Sequence, residues 1–165
     1  MQNMQYFDHQ PRSGDCINAF LYLAGSNFLT LMKEFYTSKT AQVYYDPTLD
    51  TLFLKYLGKV ASDEQFVEIN TALLNAFKGL QTQKFVADIR KMGIISLKSQ
   101  EWVVNVLLPG MIGHLAGKKL FHAQLLDPSE IMAKVSASNI KNKSKTVEVV
   151  QFGSEQELVT YLKAI

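Results

Sequence analysis

The sequence predicts a single α/β domain with a mixed, mostly parallel sheet covered by helices. Short segments rich in β-branched and aromatic residues alternate with longer segments in which apolar residues recur at helical spacing. Helix-start signals stand directly after several of the strand-like segments. With 165 residues, 47% of them hydrophobic and 19% charged, the chain has the length and composition of one globular domain rather than of a disordered segment.

The first predicted element is an antiparallel β-hairpin formed by residues 40–45 and 51–57. Both segments are rich in residues that favour strands. The five residues between them begin with Asp46 and Pro47, which favour a turn, and Gly58 ends the second strand.

A helix is predicted to begin at Ser62. Ser62 and Gln65 have the spacing of a capping box, and Asp63 and Glu64 place negative charge at the positive end of the helix dipole. The apolar residues that follow form one stripe at helical spacing: Phe66, Ile69, Leu73, Leu74, Phe77 and Leu80.

The next predicted elements are a buried strand at 84–89, a loop, and a second helix that begins near Ser96 to Ser99. Pro109 lies inside the apolar stripe of this helix and should kink or interrupt it. A fourth strand follows at 120–126.

Asp127 and Pro128 then supply the N-cap and first-turn proline of a third helix. A polar connection at 141–145 leads to a strand at 147–152, and Ser154 opens a final helix. The predicted order is β-β-α-β-α-β-α-β-α. Strands that alternate with helices imply parallel crossovers after the opening hairpin.

Residues 1–36 differ in composition from the rest and are predicted to be a partly mobile amino-terminal extension, followed by the α/β domain at 37–165. Residues 17–31 are strongly apolar, so we expect them to form a helix that packs on the domain or on a second copy. A homodimer and an intramolecular lid are both consistent with this pattern, whereas residues 1–15 are expected to stay mobile.

The charge pattern argues against a nucleic-acid partner, because the net charge is only +2. Residues 84–145 hold ten Lys and Arg against four Asp and Glu, which indicates either a basic face for an anionic ligand or simply solvated lysines. No stretch reaches the roughly 20 apolar residues that a membrane-spanning helix needs. The single cysteine, Cys16, is typical of a reducing, cytoplasmic location.

Motifs of the common catalytic and cofactor sites are missing from the sequence. His9, His114 and His122 are far apart and lack metal-ligand spacing, and His122 is expected to be a hydrogen-bonded core or rim residue. There is no G-x-S-x-G elbow, no phosphate-binding loop and no G-x-G-x-x-G run. We therefore expect a protein that is not an enzyme and uses no cofactor or metal.

The element order and the stretch FVADIRKMGIISLKSQEWVVNVLLP at 85–109 resemble the STAS-like (sulfate transporter and anti-sigma-factor antagonist) superfamily, and in particular its stand-alone bacterial members of unassigned activity. The similarity covers about residues 36–165, and the chain also distantly resembles the lipid-binding CRAL-TRIO fold. The resemblance implies a regulatory or protein-interaction module. In the phosphorylatable members, the equivalent strand ends in an Asp, and a regulatory serine follows at the start of the next helix. When Asp88 is aligned with that Asp without gaps, the position of the serine is occupied by Leu97. This argues against the same phosphorylation switch.

The best candidate site is the loop after the third predicted strand, because ligands and partners of open α/β sheets tend to meet the carboxyl ends of parallel strands. This site would bind a protein partner or, as the alternative, a small apolar or anionic ligand. A purely structural role, in which the residues brace the loop and cap the helix, also fits the pattern. The residues concerned are Asp88, Arg90, Lys91, Ser96, Ser99 and Trp102.

Overall fold

The computed structural model describes residues 32–127, 129, 147 and 149–165, and within them the chain forms one mixed sheet with helices on both faces. The strands are β1 (Lys33–Thr37), β2 (Ala41–Asp46), β3 (Thr51–Tyr56), β4 (Lys84–Asp88), β5 (Phe121–Leu125) and β6 (Val149–Phe152). The helices are α1 (Asp63–Lys78), α2 (Leu97–Trp102), a π-helical segment (Val103–Leu107), α3 (Leu108–His114) and α4 (Glu155–Ala164).

The six strands lie in the sheet in the order in which they occur in the chain. Strands β1, β2 and β3 pair antiparallel, and β3 to β6 pair parallel. This confirms the predicted α/β class, the hairpin and the mostly parallel sheet. The helix predicted from Asp127, the connection at 141–145 and the amino-terminal helix lie outside the described residues. None of the described helices is long and apolar enough to cross a bilayer.

Strand β1 is an addition to the predicted order, because residues 33–36 had been assigned to the amino-terminal extension. Within the described residues it pairs with β2 alone, and its register shifts between Glu34 and Tyr36. The sequence signal is weak for a physical reason: edge strands are short and often charged, and here Lys33 and Glu34 replace the apolar residues of a central strand. The Tyr36 hydroxyl donates to Glu68 Oε1 at 3.1 Å, which connects β1 to α1.

The start of α1 is fixed by the capping interactions that the sequence predicts. Ser62 Oγ accepts a hydrogen bond from the Gln65 backbone N–H at 3.2 Å. The Gln65 side chain reaches back and accepts from the Ala61 N–H at 2.7 Å, one residue earlier than in the usual reciprocal box. Two otherwise free N–H groups at the helix start are thereby satisfied.

We expect Ser62→Ala to lower the free energy of unfolding by about 1 kcal/mol, because it removes the acceptor for the Gln65 N–H. Urea denaturation followed by circular dichroism measures the change. Thr71→Ala, at an exposed position inside the same helix, is the matched control and should change stability by less than about 0.5 kcal/mol. Equal effects of the two substitutions would contradict the capping role.

The apolar core has two parts, one on each face of the sheet. Helices α1, α2 and α3 and the π-helical segment cover one face and enclose the larger cluster, whose centre includes Leu54, Phe77 and Phe85. On the other face Leu158 and Leu162 of α4 pack against β4 and β5. Side chains alternate between faces along each strand, so the sheet is buried on both sides over β4 and β5.

The long second helix is interrupted as expected, and the interruption is a π-helical turn placed just before Pro109. The Leu108 N–H donates to the Val103 carbonyl, an i to i+5 hydrogen bond that widens the helix. Such a turn accommodates the proline ring, which would otherwise collide with the carbonyl four residues earlier. One residue later Gly110 lies so close to Leu74 that an added Cβ would be 3.0 Å from its side chain, so this glycine allows α3 to approach α1.

Candidate functional site

The end of β4 carries an ion-pair network rather than an open cationic site. Asp88 is buried and accepts from Arg90 through both carboxylate oxygens, at 2.9 Å from Nε and 2.7 Å from Nη2. The same Nη2 donates to Glu155 Oε1 at 2.6 Å, at the start of α4. These hydrogen bonds, that with Asp88 above all, raise the pKa of Arg90. The guanidinium therefore neutralises two carboxylates of this chain.

A groove of about 180 Å³ lies beside this network, on the face of the sheet that α4 covers. Its walls include Tyr44, which stacks on Phe53 with ring centroids 5.1 Å apart. Burial, followed by the nearby carboxylates, raises the pKa of Tyr44 to about 12. The acidic residues Asp46, Asp88 and Glu155 line the same groove with one lysine, Lys55, so its charges do not favour an anionic ligand.

The start of α2 is tied to the start of α1 by a serine and carboxylate cluster. Ser96 Oγ caps α2 by accepting from the Ser99 N–H at 3.1 Å, and it donates to Asp63 Oδ1 at 2.5 Å. The Ser99 hydroxyl donates to the same oxygen. The hydrogen bonds from Ser96 and then Ser99 lower the pKa of Asp63. This cluster fixes the relative position of the two helices at their amino-terminal ends.

The structure thus divides the predicted site residues into two groups. Arg90, which is paired with Asp88, contacts α4 through Glu155 on one face of the sheet, whereas Ser96 and Ser99 contact α1 on the other. Lys91 is exposed on the loop between the groups. The assignment of these residues to a ligand or partner stays a prediction.

A groove of about 610 Å³ lies between α1 and the segment formed by α2 and the π-helical turn. Val67, Trp102 and Val106 supply its apolar surface, and Val106 is 42% exposed. Four carboxylates and one lysine also line it: Asp63, Glu64, Glu68, Glu101 and Lys98. The groove combines an apolar surface with a predominantly acidic border.

A second groove of about 270 Å³ adjoins the first, since Asp63 and Ser99 line both. It contains Ile94, which is 62% exposed, and the neighbouring Leu97 on the first turn of α2 is 63% exposed. We call the residues of the two grooves, together with Leu97, the α1–α2 surface.

Several residues of this surface were not identified from the sequence. The sequence analysis explains Asp63 and Glu64 by the helix dipole, and it names neither Val67 nor Val106 as a site residue. Val67 could have been identified as a surface residue from the sequence, because it is an apolar residue that lies outside the buried stripe of α1. Val106 could not have been found in this way, since the π-helical turn changes the helical register at its position.

Within the described part of the chain, no group of three or more His, Cys, Asp or Glu could hold a metal ion. Comparisons with protein-family models, curated proteins and solved structures found no match for this chain.

Proposed function

We propose that this protein is a non-catalytic regulatory module of STAS-like type that binds a protein partner through the α1–α2 surface. The observation that carries the proposal is the exposure of large apolar side chains along one segment. Among the described residues, Ile94, Leu97 and Val106 are exposed by 62%, 63% and 42%, and Trp102, which lines the larger groove with Val106, is half-buried. Apolar side chains grouped on a surface are typical of protein-binding sites.

The shape of the groove supports a helical or extended peptide segment as the bound element. The groove runs between two helices, an arrangement that accepts the apolar face of an amphipathic helix in several known recognition modes. Its tryptophan belongs to the residue types that contribute most binding energy at interfaces.

The charges of the groove define the chemistry of the partner. Four carboxylates against one lysine favour a partner segment that carries Lys or Arg beside its apolar residues. Such charges mainly accelerate association and select the partner, and their effect decreases as salt is added. We therefore propose a basic, amphipathic segment of another protein, in a cytoplasmic setting that agrees with the single cysteine.

The alternative of an anionic ligand at the loop after β4 receives less support from the contacts. Arg90 is engaged by Asp88 and Glu155, so an anion would have to displace two carboxylates to reach it. The position that the STAS-like alignment gives to the regulatory serine is held by Leu97, which has no hydroxyl to phosphorylate. An exposed leucine there fits a contact residue.

Affinity purification of the tagged chain from cells that express it naturally tests the proposal. We expect Val106→Arg to reduce the yield of the stoichiometric partner at least tenfold, because it places a long charged side chain in the apolar part of the groove. Ile165→Arg is the matched control: Ile165 is 37% exposed, and it follows α4, on the other face of the sheet. The control should recover as much partner as the unmodified chain.

Partner recovery that is equal for Val106→Arg and the unmodified chain would place the interface elsewhere. The absence of any stoichiometric partner from repeated purifications of the unmodified chain would contradict the interaction module itself. Circular dichroism spectra of both variants must match the unmodified protein, so that loss of binding is not loss of folding.

A further inference from the structure

A small cavity of about 40 Å³ lies inside the larger core cluster, between the sheet and the helices. Its walls are predominantly apolar and come from β3, β4, β5, α1, the loop after β4 and the π-helical segment. They include Leu54, Phe85, Met92, Ile95 and Leu107. Among the residues that the structure describes, no Asp, Glu, Lys or Arg lines it.

The side chains of Tyr56, Asn70 and Gln124 also line the cavity, but they are hydrogen-bonded, so His122 is the polar group that distinguishes this cavity from a packing defect. Its side chain lines the cavity, is 3% exposed and stacks on Phe85 with ring centroids 4.6 Å apart. Neither ring nitrogen has a hydrogen-bond partner among the described residues. The sequence had predicted a hydrogen-bonded histidine, so the structure corrects that expectation. A buried imidazole without a partner is costly, since each unmet donor or acceptor loses its hydration.

Two further features adjoin the same cavity. Val103 and Leu107 are the first and last residues of the π-helical segment, and such turns are frequent at functional sites. The Oε1 atom of Gln100 is also buried without a partner within the described chain, while its Nε2 donates to the carbonyl of Ile95, a residue of the cavity wall. Buried polar atoms without hydrogen-bond partners and a π-helical turn thus occur together at one place in the core.

We propose that this cavity binds a small uncharged ligand that carries a hydroxyl or amide group, with His122 as its hydrogen-bonding residue. A neutral imidazole has one donor and one acceptor nitrogen, so a group that can both donate and accept suits either of them. The apolar walls disfavour an ion, because no opposite charge is present to offset its desolvation. The cavity lies in the core beneath the α1–α2 surface, and Ile95 lines both the cavity and the smaller groove.

The volume limits the size of this ligand. One water molecule needs about 10–15 Å³ of cavity volume, whereas pockets for drug-sized ligands have a volume of roughly 300 Å³ or more. A cavity of about 40 Å³ therefore suits a compact molecule of a few heavy atoms, or the polar end of one. With so few atoms in contact, a dissociation constant in the millimolar range is expected.

The test uses ethanol and acetamide as probes, with acetate as a charged control of similar size. Nitrogen-15 NMR of the imidazole signals of the full chain is the readout. We expect ethanol or acetamide to shift the His122 signals in a saturable way at millimolar concentrations, and acetate to leave them unchanged. Ala87→Val should weaken this response at least fivefold, because Ala87 lines the cavity and the larger side chain fills it.

Ala123→Val is the matched control, since Ala123 is equally a small buried strand residue but belongs to the cluster under α4. It should retain the response. A crystal structure that shows only ordered water on the His122 nitrogens, unchanged by either probe at high concentration, would overturn the proposal. Equal responses of the two valine variants would also overturn it, because the probe would then bind elsewhere.

Discussion

Acidification from pH 7 to pH 4 is expected to destabilise this protein by about 3 kcal/mol through His122 alone. Burial lowers the pKa of this histidine from the usual 6.5 to about 4. The residues that line its cavity include no charged side chain that could stabilise the imidazolium. The native state therefore holds His122 neutral.

The sign of the effect follows from proton binding. Between pH 6.5 and about 4 the unfolded chain binds a proton on this histidine and the native state does not, so stability falls as the pH is lowered through this range. Above pH 6.5 both states are neutral at this residue and the penalty is absent. Below about pH 4 both states are protonated, and the loss reaches its limit.

Urea denaturation at a series of pH values measures the effect, with His122→Phe as the comparison. Phenylalanine can retain the stacking on Phe85 but cannot bind a proton. The difference in unfolding free energy between the two proteins should change by about 3 kcal/mol between pH 7 and pH 4. If that difference stays constant over this range, His122 titrates normally and is not held neutral in the core.

Replacement of Arg90 by alanine is expected to cost about 2 kcal/mol of unfolding free energy, because it leaves the buried Asp88 carboxylate without its two charged hydrogen bonds. This loss of unfolding free energy is smaller than that for a fully buried ion pair, because the Arg90 side chain is 32% exposed. Glu155→Gln should cost less than about 0.5 kcal/mol, because the Glu155 side chain is 63% exposed.

A double-mutant cycle separates the ion pair from other effects of the arginine. Asp88→Asn combined with Arg90→Ala should be more stable than Arg90→Ala alone, because it removes the unpaired buried charge. Thermal unfolding of the four proteins provides the free energies. A double variant that is less stable than the single one, or an Arg90→Ala cost no larger than that of Glu155→Gln, would show that Asp88 does not depend on this partner.

Much of the fold could be predicted because its signals are local. The turn at Asp46 and Pro47, the cap at Ser62 and the interruption at Pro109 each depend on residues within a few positions, and all are present in the structure. Strand β1 was not predicted, because its strand conformation depends on pairing with β2. The local residue pattern carries no information on that pairing.

The candidate site was less predictable, because its geometry depends on contacts between distant segments. The sequence singled out Arg90 and Ser96, yet their partners Glu155 and Asp63 are 65 and 33 positions away. Charge alone suggested a basic region at residues 84–145, whereas the groove between α1 and α2 is acidic, because α1 supplies three of its four carboxylates. The missing partner of His122 is a property of packing and has no counterpart in the residue pattern.

Site-specific photo-crosslinking in cells tests the proposed interface most directly. A benzophenone amino acid is placed in turn at Val106, at Ile94 and, as the control, at Ile165, and crosslinked products are identified by mass spectrometry. We expect one shared protein product from Val106 and Ile94, in which the crosslinked peptide is rich in Lys or Arg and apolar residues, and none from Ile165. Crosslinks from Ile165 alone, or no product from Val106 and Ile94, would contradict partner binding through the α1–α2 surface.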